Sequence, residues 1–182
     1  MIIIFDAGHS NREIGAIYKN YVEKKFNLEI ALALGKELKL QAPSYKILFT
    51  RTNDTLVPLD KRTNFANINK ADLFVSIHCN SCTKANQASG LEVLFYSNTG
   101  KGYLLATEII KAIKPIFPIH GTGLVERKDL AVLRDTDMPA ILIEMFFINN
   151  DKDIGLFQNH KKEVIKRIAT VIKDTENIWE EV

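Results

Sequence analysis

Three polar groups stand at the ends of apolar runs in this chain. His9 follows the β-branched run at residues 2–5 and the turn Asp6-Ala7-Gly8. His78 closes the apolar run that begins at Leu73, and Glu144 closes the one that begins at Ala140. In open α/β sheets, ligands bind outside the carboxyl ends of the strands, so parallel neighbours would bring these three groups to one edge. Two histidines and one carboxylate are a common catalytic zinc set, with a fourth position left open to water. A zinc-bound water loses a proton near neutral pH, and a further carboxylate off the metal then serves as general base. His9 and His78 supply the nitrogen ligands, and Glu144, partly desolvated at a strand end, fits the base. Spacing alone leaves the third ligand open among Glu13, Glu23 and Glu29. Asp6 is a fourth choice, or a partner that orients a histidine.

A second invitation to bind metal lies beside His78. Cys79 and Cys82 form a C-x-x-C pair, and they are the chain's two cysteines. A four-thiol zinc site needs two more sulfurs. Side chains alternate along a strand, so Cys79 points away from His78. The pair is read as incidental. His120 is read as part of a turn-rich, solvated loop, and His160 as an exposed or capping residue at a helix start. HExxH, G-x-S-x-G and phosphate-loop motifs are absent.

The elements that must position these groups follow from pattern. Strands are expected at residues 2–5, 45–51, 73–78, 90–96, 130–134 and 140–144. Helices are expected at 22–40, where Phe26, Ile30, Ala33, Leu34 and Leu38 recur at helical spacing, and at 58–69, 102–113 and 161–173. Strands alternate with helices, which predicts an α/β class with a mixed, mostly parallel sheet of about six strands, flanked by helices. The strand at 90–96 follows its neighbour through a loop too short for a crossover helix, so it is the expected antiparallel member.

The chain has 182 residues, 46% of them hydrophobic, and a net charge of +2. One domain with a real core is expected, and no nucleic-acid partner. No apolar segment reaches the ~20 residues of a membrane helix, so no membrane partner is expected. The start, MIIIFDAGH, lacks the basic region of a signal peptide, which predicts synthesis in the cytoplasm without a leader.

These residues also carry a resemblance. IIIFDAGH resembles the opening D-P-G-H-G strand and turn of the zinc-dependent N-acetylmuramoyl-L-alanine amidases of the amidase_3 type. VEKKFNLEIAL, LFTRTNDTLVPLDKRTNFAN, ADLFVSIHCNS, ASGLEVLFY and LAVLRDTDMPAILIEMFFINN are similar to its later segments, in the same order. The match runs from Ile2 to about Asn150. It implies a phosphorylase/hydrolase-like fold, zinc held by His9, Glu23 and His78, and Glu144 as catalytic acid/base. The implied reaction is hydrolysis of the amide between N-acetylmuramic acid and L-alanine in peptidoglycan. Ala7, Ser10, Cys79 and Phe146 depart from the family pattern without touching the implied ligands. With neither a wall-binding repeat nor a leader, residues 1–182 look like the catalytic domain of a phage or prophage endolysin. Such a protein would be monomeric and reach the wall through a holin or lysis. Two other readings stand beside it: a zinc peptidase or carboxypeptidase with the same ligands, acting on the stem peptide, and a non-catalytic wall-binding module of the same fold.

Overall fold

Residues 2–7 (IIIFDA) are β-branched or buried almost throughout, as a strand covered on both faces must be. This strand, β1 (Ile2–Ala7), sits inside a sheet built with β4 (Lys46–Phe49), β5 (Leu73–Asn80), β6 (Leu91–Phe95), β7 (Ile119–Glu126) and β8 (Ala140–Phe147). Its order is β4-β1-β5-β8-β6-β7, and β2 (Ile17–Tyr18) pairs with β3 (Tyr21–Val22) in a separate small hairpin. The computed structural model describes residues 1–180. All pairings in the large sheet are parallel except β6 with β8. The chain leaves β5 by a short polar loop and returns as β6 beyond β8, which is why β6 runs against its neighbour.

Helices cover both faces. α1 (Glu23–Gln41), α3 (Lys101–Ile113) and α5 (Asp151–Lys173) pack against one face, over Ile3, Phe5, Val75, Ile77, Ile141 and Ile143. α2 (Leu59–Ile68) and the short α4 (Ala131–Arg134) cover the other, over Ile4, Phe74, Leu94, Ala140 and Leu142. A final helix, α6 (Thr175–Glu180), packs against α3. Burial on α1 recurs at Ile30, Ala31, Leu34 and Leu38, the three-and-four spacing of an apolar stripe. Gly35 belongs to that stripe: a Cβ there would press on the Phe49 ring. No helix among the described residues is long and apolar enough to cross a membrane.

The sheet has six strands, but one differs from expectation. Residues 130–134 form α4, not a strand; a short apolar run does not distinguish the two by pattern. Val132 and Leu133 are buried, while Arg134 stays exposed. The sixth strand is β7. Its Gly121 and Gly123 have φ of 55° and 78°, and the β6–β7 register shifts between Leu91 and Val93. Glycines and a bulge are tolerated at a sheet edge, where one side of the strand has no partner. His120 is therefore on an edge strand rather than in a loop. Its Nδ1 lies 3.1 Å from the Ser89 carbonyl and its ring centroid 4.9 Å from that of Phe147. The terminal helix begins ten residues before the predicted start. The Asn150 side chain accepts from the N–H groups of Lys152 and Asp153, a helix N-cap. His160 is thus an exposed mid-helix residue, not a helix start.

Candidate metal centre and active site

β1 delivers its last residues to a turn that the rest of the fold holds tightly. Asp6, Ser76, His78, Leu142 and Glu144 share the α2/α4 face of the sheet, in register across β1, β5 and β8. The Asp6 carboxylate is 1% exposed and accepts from Arg62 (2.5 Å), Thr50 (2.6 Å) and Ser76 (2.7 Å). Arg62, on α2, also donates to the carbonyls of Val57, Ala7 and His9. Arg51, after β4, donates to Ala7, Gly8, Lys24 and Asn53 carbonyls. Two buried guanidinium forks thus satisfy three consecutive turn carbonyls that a sheet edge would otherwise leave unpaired. Held this way, His9 adopts a left-handed φ of 61°, which costs a β-carbon-bearing residue about 1 kcal/mol or more.

Glu23 enters from the other side. The β2–β3 hairpin ends at Val22, so Glu23 is the first residue of α1, pinned before the helix begins. The Ala16 amide donates to Oε2 at 2.8 Å, and the Cys79 amide to Oε1 at 3.2 Å. Oε1 also lies 3.0 Å from His78 Nδ1 and 3.2 Å from His9 Nε2. The two rings meet edge to face with centroids 4.9 Å apart. Two glycines make the room. A Cβ on Gly8 would fall 2.6 Å from His78 Cδ2 and closer still to Nε2; one on Gly15 would fall 2.7 Å from His9 Cδ2 and against Glu23 Oε2.

This set fits a divalent cation. One ligand atom from each of His9, Glu23 and His78 lies within 4.8 Å of the others. Burial alone would raise the Glu23 carboxyl, but the hydrogen bonds and charge of His78 and His9 outweigh it and hold it well below the ordinary range. Burial depresses His78, yet Glu23 and Glu144 more than offset that, so its net shift is upward. A fixed carboxylate between two imidazoles is a donor set of the zinc type.

Glu144 stands opposite His78 in the β5–β8 register, and opposite Glu92 in the β6–β8 register. Its Oε2 is buried with no hydrogen-bond partner among the described residues. Desolvation, with His78 opposing and the charges of Glu23 and Glu92 adding, pushes its carboxyl up to about 7. A carboxyl in that range accepts and returns a proton readily at neutral pH. Beside it, Asn80 donates to Glu92 at 2.7 Å.

The structure therefore brings His9, Glu23, His78 and Glu144 together. Glu13 is exposed, and Glu29 is paired with Lys161 on the helical face. Asp6 is neither a ligand nor a histidine's partner; it is bound to Arg62, because a buried carboxylate takes the nearest full cation. Cys79 is 3% exposed on the α1/α3/α5 face, away from His78, with burial pushing its thiol well up. Cys82 lies in the following loop, its amide and sulfur near Asn149. Arg51, Arg62, Glu92 and the buried Asn27 of α1, whose side-chain amide donates to the Gly8 carbonyl and to Glu23 Oε1, do not follow from residue patterns. The signal in the sequence is the run of matched segments around TRT and DKR, not any spacing rule.

A mixed, mostly parallel α/β sheet carries a two-histidine, one-glutamate cluster that could hold a metal ion, beside a buried carboxyl. The chain belongs to the N-acetylmuramoyl-L-alanine amidase family Amidase_3, whose profile matches residues 3–174. It is 34% identical over 152 residues to the N-acetylmuramoyl-L-alanine amidase CwlM of Bacillus licheniformis, covering 83% of this chain and 58% of that protein. It is 34% identical over 164 residues to the endolysin of Bacillus phage SPP1, covering 86% of this chain and 58% of that protein. The chain thus spans a little over half the length of these relatives. Its fold matches the catalytic domain of CwlV, an N-acetylmuramoyl-L-alanine amidase from Bacillus (Paenibacillus) polymyxa. The TM-score is 0.80 at 28% identity, over 100% of this chain and 98% of that one.

Proposed function

We propose that the chain is a zinc-dependent peptidoglycan amidase that cuts the bond between N-acetylmuramic acid and L-alanine. His9, Glu23 and His78 would hold the metal, and Glu144 would be the acid/base. The observation that carries this reading is the placement of Glu144: in register with His78, raised to about 7, with one buried oxygen free. Zinc at such a site supplies a polarised carbonyl and a water acidic at neutral pH. The residues do the rest. Glu23 stays ionised and fixed by the Ala16 and Cys79 amides. Glu144 takes the water proton and returns it to the departing amine of L-alanine. Arg51 and Arg62 hold the turn that aims His9, so the ligand geometry does not drift when substrate arrives.

The substrate class is supported by the family and by the relatives' named activity. A lytic role at the cell wall is supported by the likeness to a phage endolysin. The test is to digest purified bacterial walls with zinc-loaded protein and follow the products by mass spectrometry. New L-alanine amino termini with intact stem peptides are expected. Cuts within the stem peptide, leaving the lactyl amide intact, would replace the amidase reading with a peptidase.

A further inference from the structure

Next to the ligand triad, on the side of α2 and α4, lies a cavity of about 230 Å³. His9 and His78 form its wall toward the triad, Leu59, Leu130, Ala131, Val132 and Leu142 make its apolar lining, and the exposed Glu13 adds one carboxylate to it. The floor is the Asp6–Arg62 pair, whose polar atoms are turned to each other and to the carbonyls of Val57, Ala7 and His9. The floor therefore offers a ligand no free full charge. Pockets that enclose a whole small ligand run to ~300–1,000 Å³, so this one suits a substituent.

Position selects which substituent. A scissile carbonyl carbon has three neighbours: its oxygen, the leaving nitrogen and one carbon. The oxygen must face His9, Glu23 and His78. The nitrogen must reach Glu144, which stands two residues beyond Leu142 on the same face of β8, outside the cavity lining. The carbon substituent is left, and the cavity opens beside the triad to receive it. We infer that the cavity is the acyl-side subsite and takes the branched aliphatic carbon bonded to the scissile carbonyl. In the amidase reading above, on which this assignment rests, that group is the methyl-bearing carbon of the lactyl ether. Leu59 on α2 and Leu130 before α4 would be the specificity-determining residues. They come from two different elements, neither part of the sheet, and Leu59 is 56% exposed, so it lines the cavity from its solvent side.

The test uses two soluble muramoyl-L-alanyl peptides. One carries the natural lactyl ether; the other carries a glycolyl ether that lacks only the methyl. One methyl group in an apolar pocket is worth roughly tenfold or more in discrimination. Zinc-loaded wild-type protein is expected to favour the lactyl substrate by about that factor in kcat/KM. The double variant Leu59→Ala/Leu130→Ala should reduce the preference below about threefold while still binding one zinc per chain, read by metal analysis. Equal kcat/KM for the two substrates in the wild type would overturn the subsite and leave the amidase reading standing. So would a preference undiminished in the double variant. Hydrolysis of neither substrate by zinc-loaded wild type would overturn the amidase reading itself.

Discussion

Gly8 gives a sharp prediction, because it lies outside the proposed ligand set yet decides where His78 can sit. Its φ is not in the left-handed region, so alanine is allowed by the backbone. The obstacle is His78. The added Cβ would lie 2.6 Å from Cδ2, and closer to Nε2, where carbon contacts settle at ~3.5–4.0 Å. The ring must retreat by roughly 1 Å or more, turning its donor away from Glu23 and His9. Displacing even an outer partner of a metal ligand costs ~10–100-fold in affinity. Moving the ligand itself belongs at the upper end, about 100-fold, or about 2.7 kcal/mol. Zinc affinity of Gly8→Ala is measured by competition with a chromophoric chelator, beside circular dichroism of the metal-free protein. The expected result is a native spectrum with zinc binding weakened about 100-fold. A control is Gly155→Ala on α5, where an added Cβ meets nothing within 4 Å. It should leave zinc binding unchanged and stabilise the helix by up to about 1 kcal/mol. If Gly8→Ala bound zinc within threefold of wild type, the placement of His78 against this turn would be wrong.

Other perturbations follow from the same geometry. Arg62→Met leaves Asp6 buried with only the Thr50 and Ser76 hydroxyls, and should cost about 3–5 kcal/mol by urea denaturation; Asp6→Asn added to it should recover part of that, and a loss under 1 kcal/mol would deny the buried pair its role. Cys79→Ala with Cys82→Ser should keep one zinc per chain in metal analysis, since neither thiol belongs to the ligand set; loss of zinc would revive a thiol site. Stability of the metal-free protein should fall as pH rises from 5 to 8. Glu144, raised from its ordinary 4.5 to about 7, binds a proton in the folded state that the unfolded chain has released, so its contribution is lost through that window. His78, raised as well, adds a contribution that is present below its ordinary value and lost as pH climbs through the folded one. Glu23, shifted the other way, loses its contribution only in acid and stays constant here. The Glu144 part is at most about 3 kcal/mol, read from denaturation midpoints; a midpoint rising over this range would contradict the buried carboxyl.

How much of this was legible in the sequence differs from residue to residue. His9, His78 and Glu144 were legible because each ends an apolar run, and the carboxyl ends of parallel strands share an edge. Glu23 was not legible from physics alone. Glu13, Glu23 and Glu29 follow His9 at workable distances, and what selects among them is the Ala16 amide, the Gly15 turn and the hairpin that ends at Val22. Motif resemblance supplied that choice. Arg51 and Arg62 look like surface residues in sequence; only the folded turn shows that their forks satisfy carbonyls at the sheet edge. Six strands were expected, with the helical run at 130–134 counted among them, and the antiparallel member followed from the short β5–β6 loop. β7 did not, because Gly121 and Gly123 signal a turn unless a bulge on an edge strand absorbs them. The start of α5 was missed because Asn150 reads equally as a loop residue and as a cap.

In the proposed mechanism Glu144 moves the proton beside a metal held by His9, Glu23 and His78. That role is tested most directly by the rate of lactyl–L-alanine amide hydrolysis in Glu144→Gln against wild type. Both proteins are assayed on a defined muramoyl peptide, each loaded to one zinc per chain. Glutamine keeps the shape and removes the titrating oxygen, and a general acid–base contributes ~10²–10⁴-fold. A loss of at least 100-fold in kcat with zinc retained is the expected result. Hydrolysis by Glu144→Gln at the wild-type rate would contradict the account.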